Sequence, residues 1–108
     1  MFGLFGFGQK NHEALNGHDF QSKYRSSHGA VLIDVRTSAE FKAGSIRGAR
    51  NIDIMSPGFA QQVEHLDKSK EYFLFCRSGS RSAQACTLMA NNGFKVYNLS
   101  NGVNDWPG

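Results

Sequence analysis

The sequence has little of most features that decide a protein class at once. Among its 108 residues are only 2 cysteines and 2 prolines. Two cysteines fall far below the density of a disulfide scaffold. A chain of this length buries roughly two thirds of its unfolded surface, so its core needs no disulfide or metal staple. Neither sign of charge dominates: 12 Lys and Arg stand against 9 Asp and Glu, a net charge of +3, and the basic residues are scattered. That pattern argues against a nucleic-acid partner. No apolar run approaches the roughly 18–20 residues of a membrane span, so no stable membrane anchor is expected. Repeats and low-complexity tracts are absent, and 40% hydrophobic with 19% charged residues is a globular balance that excludes a disordered chain or a coiled coil. One domain is expected.

The opening Met1-Phe2-Gly3-Leu4-Phe5-Gly6-Phe7-Gly8 is apolar, yet it has no leading Lys or Arg and breaks off at Gln9-Lys10-Asn11. Those flanks are wrong for a secretion signal. We read residues 1–17 as a flexible Gly/Phe-rich leader and residues 18–108 as the domain, with a cytoplasmic location.

From residue 19 the punctuation is regular. Asp19 is placed to cap a short helix carrying Phe20 and Tyr24, and Gly29 to end it. Ala30-Val31-Leu32-Ile33-Asp34-Val35-Arg36 reads as a buried strand of the parallel type, with its polar residues at the C-terminal end. Thr37 or Ser38 then caps a brief helix with Glu40 in its first turn and Gly44 at its end. Ala49 to Ile54 is a weaker strand, and Ser56-Pro57 reads as the opening of a helix with Phe59, Val63 and Leu66 on one face. Glu71 to Cys76 is the second strong strand, Arg81 to Asn92 a helix closed by Gly93, and Phe94 to Leu99 the last strand before a turn at Gly102 to Trp106. Strands alternating with helices predict an α/β three-layer domain around a mainly parallel sheet.

In such sheets, sites form beyond the carboxyl ends of strands, where loops lead into helix N-termini. Cys76 closes the most apolar strand and is followed by Arg77-Ser78-Gly79-Ser80-Arg81-Ser82, whose small residues let several N–H groups point inward as an anion cradle. The thiolate is the nucleophilic form of cysteine, and a helix N-terminus beside Arg favours it. The helix dipole, the N–H donors and the guanidinium groups of Arg77 and Arg81 are therefore expected to stabilise negative charge on Cys76 together.

Cys86 receives the opposite reading. Ten helical residues from Cys76 correspond to about 15 Å, too far for a disulfide, so Cys86 is expected to pack in the core. His12, His18, His28 and His65 have no spacing that would join the cysteines in a zinc site, and neither a metal nor a cofactor is implied.

These residues resemble a known family, the single-domain rhodanese sulfurtransferases, over roughly residues 18–108. Leu32-Ile33-Asp34-Val35-Arg36-Thr37-Ser38-Ala39-Glu40-Phe41, continued by Gly44 to Ile52, is similar to the family's first signature. Cys76 to Ser82 resembles its active-site loop, and Asn101-Gly102-Val103-Asn104-Asp105-Trp106 its C-terminal signature. The family usually has His and Pro where this chain has Ser45 and Arg47, and often two glycines where it has Asn101-Gly102. The resemblance implies a three-layer sheet of about five strands with helices on both faces. It also implies that Cys76 accepts a sulfane sulfur from a small anionic donor such as thiosulfate and passes it, as a persulfide, to cyanide or a thiol. Arg77, Ser78, Gly79, Ser80, Arg81 and Ser82 would then bind the donor, and Asp34, Arg36 and Glu40 would form a supporting polar cluster beneath the loop. Sulfur-relay proteins are partners that the alternative role, a sulfur-carrier or docking module, would use. Cysteine phosphatases share the general architecture, but their cradle holds five residues between Cys and Arg, and here four separate Cys76 from Arg81.

Overall fold

Two buried runs fix the centre of the sheet. The apolar runs Ala30 to Ile33 and Tyr72 to Phe75 suit strands covered on both faces, and a computed structural model, which describes residues 11–108, pairs the strands that carry them in parallel from Ala30 opposite Glu71 to Asp34 opposite Phe75. In chain order the elements are β1 (Glu13–Leu15), α1 (Gly17–Ser26), β2 (Ala30–Asp34), α2 (Ser38–Ala43), β3 (Arg50–Asn51), α3 (Phe59–Glu64), β4 (Glu71–Phe75), α4 (Ser80–Asn91) and β5 (Lys95–Leu99), followed by a 3₁₀ turn at Val103–Asp105. The five strands form one sheet in the order β1-β5-β4-β2-β3, and every pairing is parallel.

Alternation along the central strands divides the core in two. Leu32, Phe73, Phe75, Tyr97 and Leu99 face one side and pack with Phe20 of α1, which meets Phe73 and Trp106 edge-on at 5.5 and 6.2 Å between centroids. Ile33, Tyr72, Leu74 and Val96 face the other side, against Phe59 and Val63 of α3 and Ala85, Cys86 and Met89 of α4. Helices on both faces of a parallel sheet make the predicted three-layer domain.

Several local expectations are corrected. The cap of α1 is Asn16, whose side chain accepts from the Asp19 N–H at 2.8 Å, and the helix ends at Ser26, before Gly29. The acidic Asp19 sits in the first turn, where it complements the helix dipole, but the amide three residues earlier holds the capping geometry. Ser56 and Pro57 precede α3 in a turn, because the Ser56 hydroxyl accepts from the Gly58 N–H; the helix starts at Phe59. The stretch read as a leader also contains structure. Glu13–Leu15 pair with Tyr97–Leu99 at the sheet edge, the Ser100 N–H donates to the Leu15 carbonyl, and Gly17 opens α1. Residues 1–10 of that stretch lie outside the described residues.

Candidate active site

Strand β4 delivers Cys76 to the carboxyl edge of the sheet, and α4 starts four residues later at Ser80. Gly79 makes the turn between them with φ 97°, a left-handed conformation that favours glycine. Its N–H donates to Cys76 Sγ at 3.1 Å, and the Ser82 N–H and hydroxyl donate to the same sulfur at 3.4 Å each. The helix N-terminus is thus folded over the sulfur as an anion cradle.

The C-terminal segment backs this loop. The Val103 N–H donates to the Cys76 carbonyl at 2.9 Å, and the Asn98 Nδ2 of β5 donates to the Gly79 carbonyl at 3.2 Å. A Cβ on Gly102 would collide with the Arg77 carbonyl, so the two segments touch backbone to backbone. Asn98 was not singled out in the sequence. Its only signal is a polar residue inside the apolar run Val96-Tyr97-Asn98-Leu99, where Asn98 lies buried.

Burial pushes the Cys76 thiol up, but the Ser82 hydroxyl and the N–H groups of Ser82, Gly79 and Ser78 outweigh it and hold the thiol below its ordinary value. The thiolate is therefore favoured by donors of the loop itself. Burial pushes the Cys86 thiol far upward, so Cys86 stays protonated inside the α4 side of the core. Both thiols are free. Cys76 is fully buried beneath this loop.

Both loop arginines are turned toward Glu40, and the charge of Cys76 also acts on Arg81. Arg81 is held by Glu40 through two contacts, Nη1 to Oε1 at 2.8 Å and Nη2 to Oε2 at 3.1 Å. Arg77 is largely exposed and its Nε lies 3.5 Å from the other side of the same carboxylate. Glu40 is able to do this because it is already fixed: Thr37 and Glu40 form a reciprocal capping box at the start of α2. The Arg81 hydrogen bonds and the Thr37 N–H hold its carboxyl down at about 2. Glu40 therefore touches the loop directly. Asp34 and Arg36 form a separate buried pair, with Nη2 to Oδ2 at 2.7 Å. Ser45 Oγ donates to the same Asp34 oxygen at 2.8 Å, and the Arg36 guanidinium lies 6.0 Å from the Phe75 ring, next to the nucleophile. Ser78 and Ser80 are exposed at the loop. Among the described residues no cluster of His, Cys, Asp and Glu could hold a metal ion, and no helix is long and apolar enough to cross a membrane.

Removing the Ser82 hydroxyl gives a direct test of which groups make the thiolate. In Ser82→Ala one donor to Sγ is lost, which destabilises the charged form and raises the thiol pKa. Alkylation of Cys76 by iodoacetamide, followed against pH, is expected to move to higher pH, with the rate at neutral pH reduced about two- to tenfold, the worth of one hydrogen bond. An unchanged profile would exclude the hydroxyl from this role.

A five-stranded parallel sheet with helices on both faces, presenting a buried cysteine between its central strand and the start of the next helix, defines a recognisable class of α/β domain. Residues 18–108 match the rhodanese-like domain model, and the chain belongs to that family. It is 36% identical over 82% of its length to YtwF of Bacillus subtilis, a protein named as a candidate sulfurtransferase, of which the match covers 84%. It is 32% identical over 80% of its length to the thiosulfate sulfurtransferase GlpE of Ectopseudomonas mendocina, of which the match covers 78%. Among solved structures, a rhodanese-like domain protein from Staphylococcus aureus superposes with a TM-score of 0.75 at 24% identity, covering 87% of this chain and 90% of that one, and shows the same fold.

Proposed function

We propose that the protein is a thiosulfate-type sulfurtransferase that carries sulfane sulfur on Cys76. The observation that supports this most directly is the convergence of three donors on Cys76 Sγ from Gly79 and Ser82. The thiolate attacks the outer sulfur of thiosulfate; the sulfur–sulfur bond of the donor breaks and its electron pair leaves with sulfite. The outer sulfur remains on Sγ as a persulfide, stabilised by the same N–H groups that held the thiolate. Cyanide or a thiol then removes it and restores the thiolate. Ser78, Ser80 and the exposed Arg77 offer donors to the sulfite oxygens at the mouth of the loop, and Arg81 acts by holding Glu40 against α4. A reducing compartment such as the cytoplasm suits a cysteine that must return to a thiolate after each cycle.

The second reading, a carrier that relays sulfur between proteins, draws support from YrkF of Bacillus subtilis, named as a candidate sulfur carrier protein and 31% identical over 82% of this chain, although the match covers 48% of YrkF. Mass spectrometry under non-reducing conditions tests both readings. After thiosulfate, an added mass of about 32 Da is expected, and cyanide should remove it. Trypsin cleavage after Lys70, Arg77 and Arg81 separates the cysteines, so the adduct should lie in residues 71–77 with Cys76 and be absent from residues 82–95 with Cys86. No adduct would overturn the enzyme. An adduct that forms slowly from thiosulfate and quickly from a protein persulfide would favour the carrier.

A further inference from the structure

Beside the active-site loop lies an open cleft of about 470 Å³, lined among others by Arg36, Ser45, Arg47, Arg77, Val103 and Trp106. Its volume falls within the roughly 300–1,000 Å³ typical of small-molecule sites. Two contacts attach it to the backbone of the residue that carries the reacting sulfur: Arg77 follows Cys76 in the chain, and Val103 donates its N–H to the Cys76 carbonyl at 2.9 Å.

The charges in this cleft are unbalanced. Three arginines line it and no Asp or Glu side chain does. Arg36 is 5% exposed, and Asp34 and the Gly44 carbonyl occupy its Nε and Nη2, leaving Nη1 without a partner among the described residues. Arg47 is exposed and makes no hydrogen bond or ion pair among the described residues. Among the described residues Arg77 has only the 3.5 Å approach to Glu40, a carboxylate already engaged by Arg81, and its side chain is 67% exposed. Trp106 supplies an aromatic wall. A site with surplus guanidinium charge and an apolar wall is shaped for a carbon skeleton bearing carboxylates. Thiosulfate and cyanide carry no carbon skeleton for the aromatic wall to hold.

We infer that this cleft binds the acceptor and selects low-molecular-weight thiols that carry carboxylates over neutral thiols, an inference that rests on the sulfur-transfer reading above. With its carboxylates on Arg47 and Arg77, the acceptor thiolate attacks the outer sulfur of the Cys76 persulfide. A new sulfur–sulfur bond forms to that atom, the bond from it to Sγ breaks, and the electron pair stays on Sγ as the thiolate held by Gly79 and Ser82. The outer sulfur takes a proton from water before the attack, so the product leaves as a hydropersulfide, and no outside oxidant or reductant is consumed.

The chain has a single tryptophan, so Trp106 fluorescence reports on the cleft without turnover. The full chain and Arg47→Glu are titrated with mercaptosuccinate and with 2-mercaptoethanol, and the preformed persulfide is discharged with each thiol in parallel. A saturable fluorescence change with mercaptosuccinate and none with 2-mercaptoethanol is expected. Arg47→Glu should weaken mercaptosuccinate binding about tenfold or more and lower the kcat/KM preference for mercaptosuccinate over 2-mercaptoethanol by a similar factor, with Arg47→Lys recovering most of both. A silent tryptophan, or equal binding in Arg47→Glu, overturns the cleft proposal while a persulfide that forms and discharges leaves the sulfur-transfer reading standing. If mercaptosuccinate binds but thiosulfate never loads Cys76, the sulfur-transfer reading falls and takes the acceptor role with it.

Discussion

Replacing Cys76 with alanine or with serine is expected to bring thiosulfate turnover to background in both variants and to abolish the mass adduct, while the two differ in stability. The loss of activity follows from the element. A serine hydroxyl stays protonated at neutral pH and forms no persulfide, so the serine variant fails chemically although it preserves the shape of the site. The difference in stability follows from burial. Cys76 has no exposed surface, and its sulfur accepts from the Gly79 N–H, the Ser82 N–H and the Ser82 hydroxyl. Alanine leaves these donors without an acceptor under the loop and should cost about 1–3 kcal/mol, whereas a serine oxygen can accept from them and should cost less. Urea unfolding alongside turnover separates the two effects. Residual turnover well above background in either variant would show that sulfur moves without passing through Cys76.

The same division between chemistry and tertiary context explains what could be read from the sequence. β2 and β4 are legible because each carries a run of four apolar residues, which is a property of the segment itself. Cys76 was legible because strand end, cysteine and small-residue turn are adjacent in the chain. β1 is not, since the three residues Glu13-Ala14-Leu15 are too few to show a run or an alternation, and its ladder is with β5 from the far end of the chain. The arginines lie in the expected loop, but their pairing with Glu40 is not signalled by the residues around them. Their direction is set by Glu40, which the capping box of α2 fixes across the mouth of the loop, and nothing near Arg81 in sequence signals that carboxylate. The cap of α1 went astray for a smaller reason: Asn16 and Asp19 are both good capping residues, and only the backbone decides which one accepts and which one donates its N–H.

The loop's dependence on the segment behind it leads to the second large effect, Gly79→Ala. This residue carries three duties at once. Its φ of 97° turns the chain from β4 into α4, its N–H reaches Cys76 Sγ at 3.1 Å, and its carbonyl accepts from Asn98 Nδ2 at 3.2 Å. A Cβ there would collide with the Ser100 carbonyl, a backbone atom that itself follows the β5 ladder and cannot swing aside as a side chain would. The left-handed conformation and the collision act in the same direction, and together they should cost about 2–4 kcal/mol in urea unfolding. Relief of the collision moves the Gly79 N–H away from the sulfur, which removes a stabilising donor from both thiolate and persulfide; turnover should fall about 100-fold or more, and the alkylation profile should move to higher pH. Gly58→Ala is the matched comparison, since Gly58 has φ −90° and an added Cβ would meet only side-chain atoms at 3.7 and 3.8 Å, so stability and turnover should both hold. A Gly79→Ala protein that is destabilised yet alkylates with the wild-type pH profile would show that the turn is needed for folding alone, and that the charge on Cys76 is set by Ser82 without help from the glycine N–H.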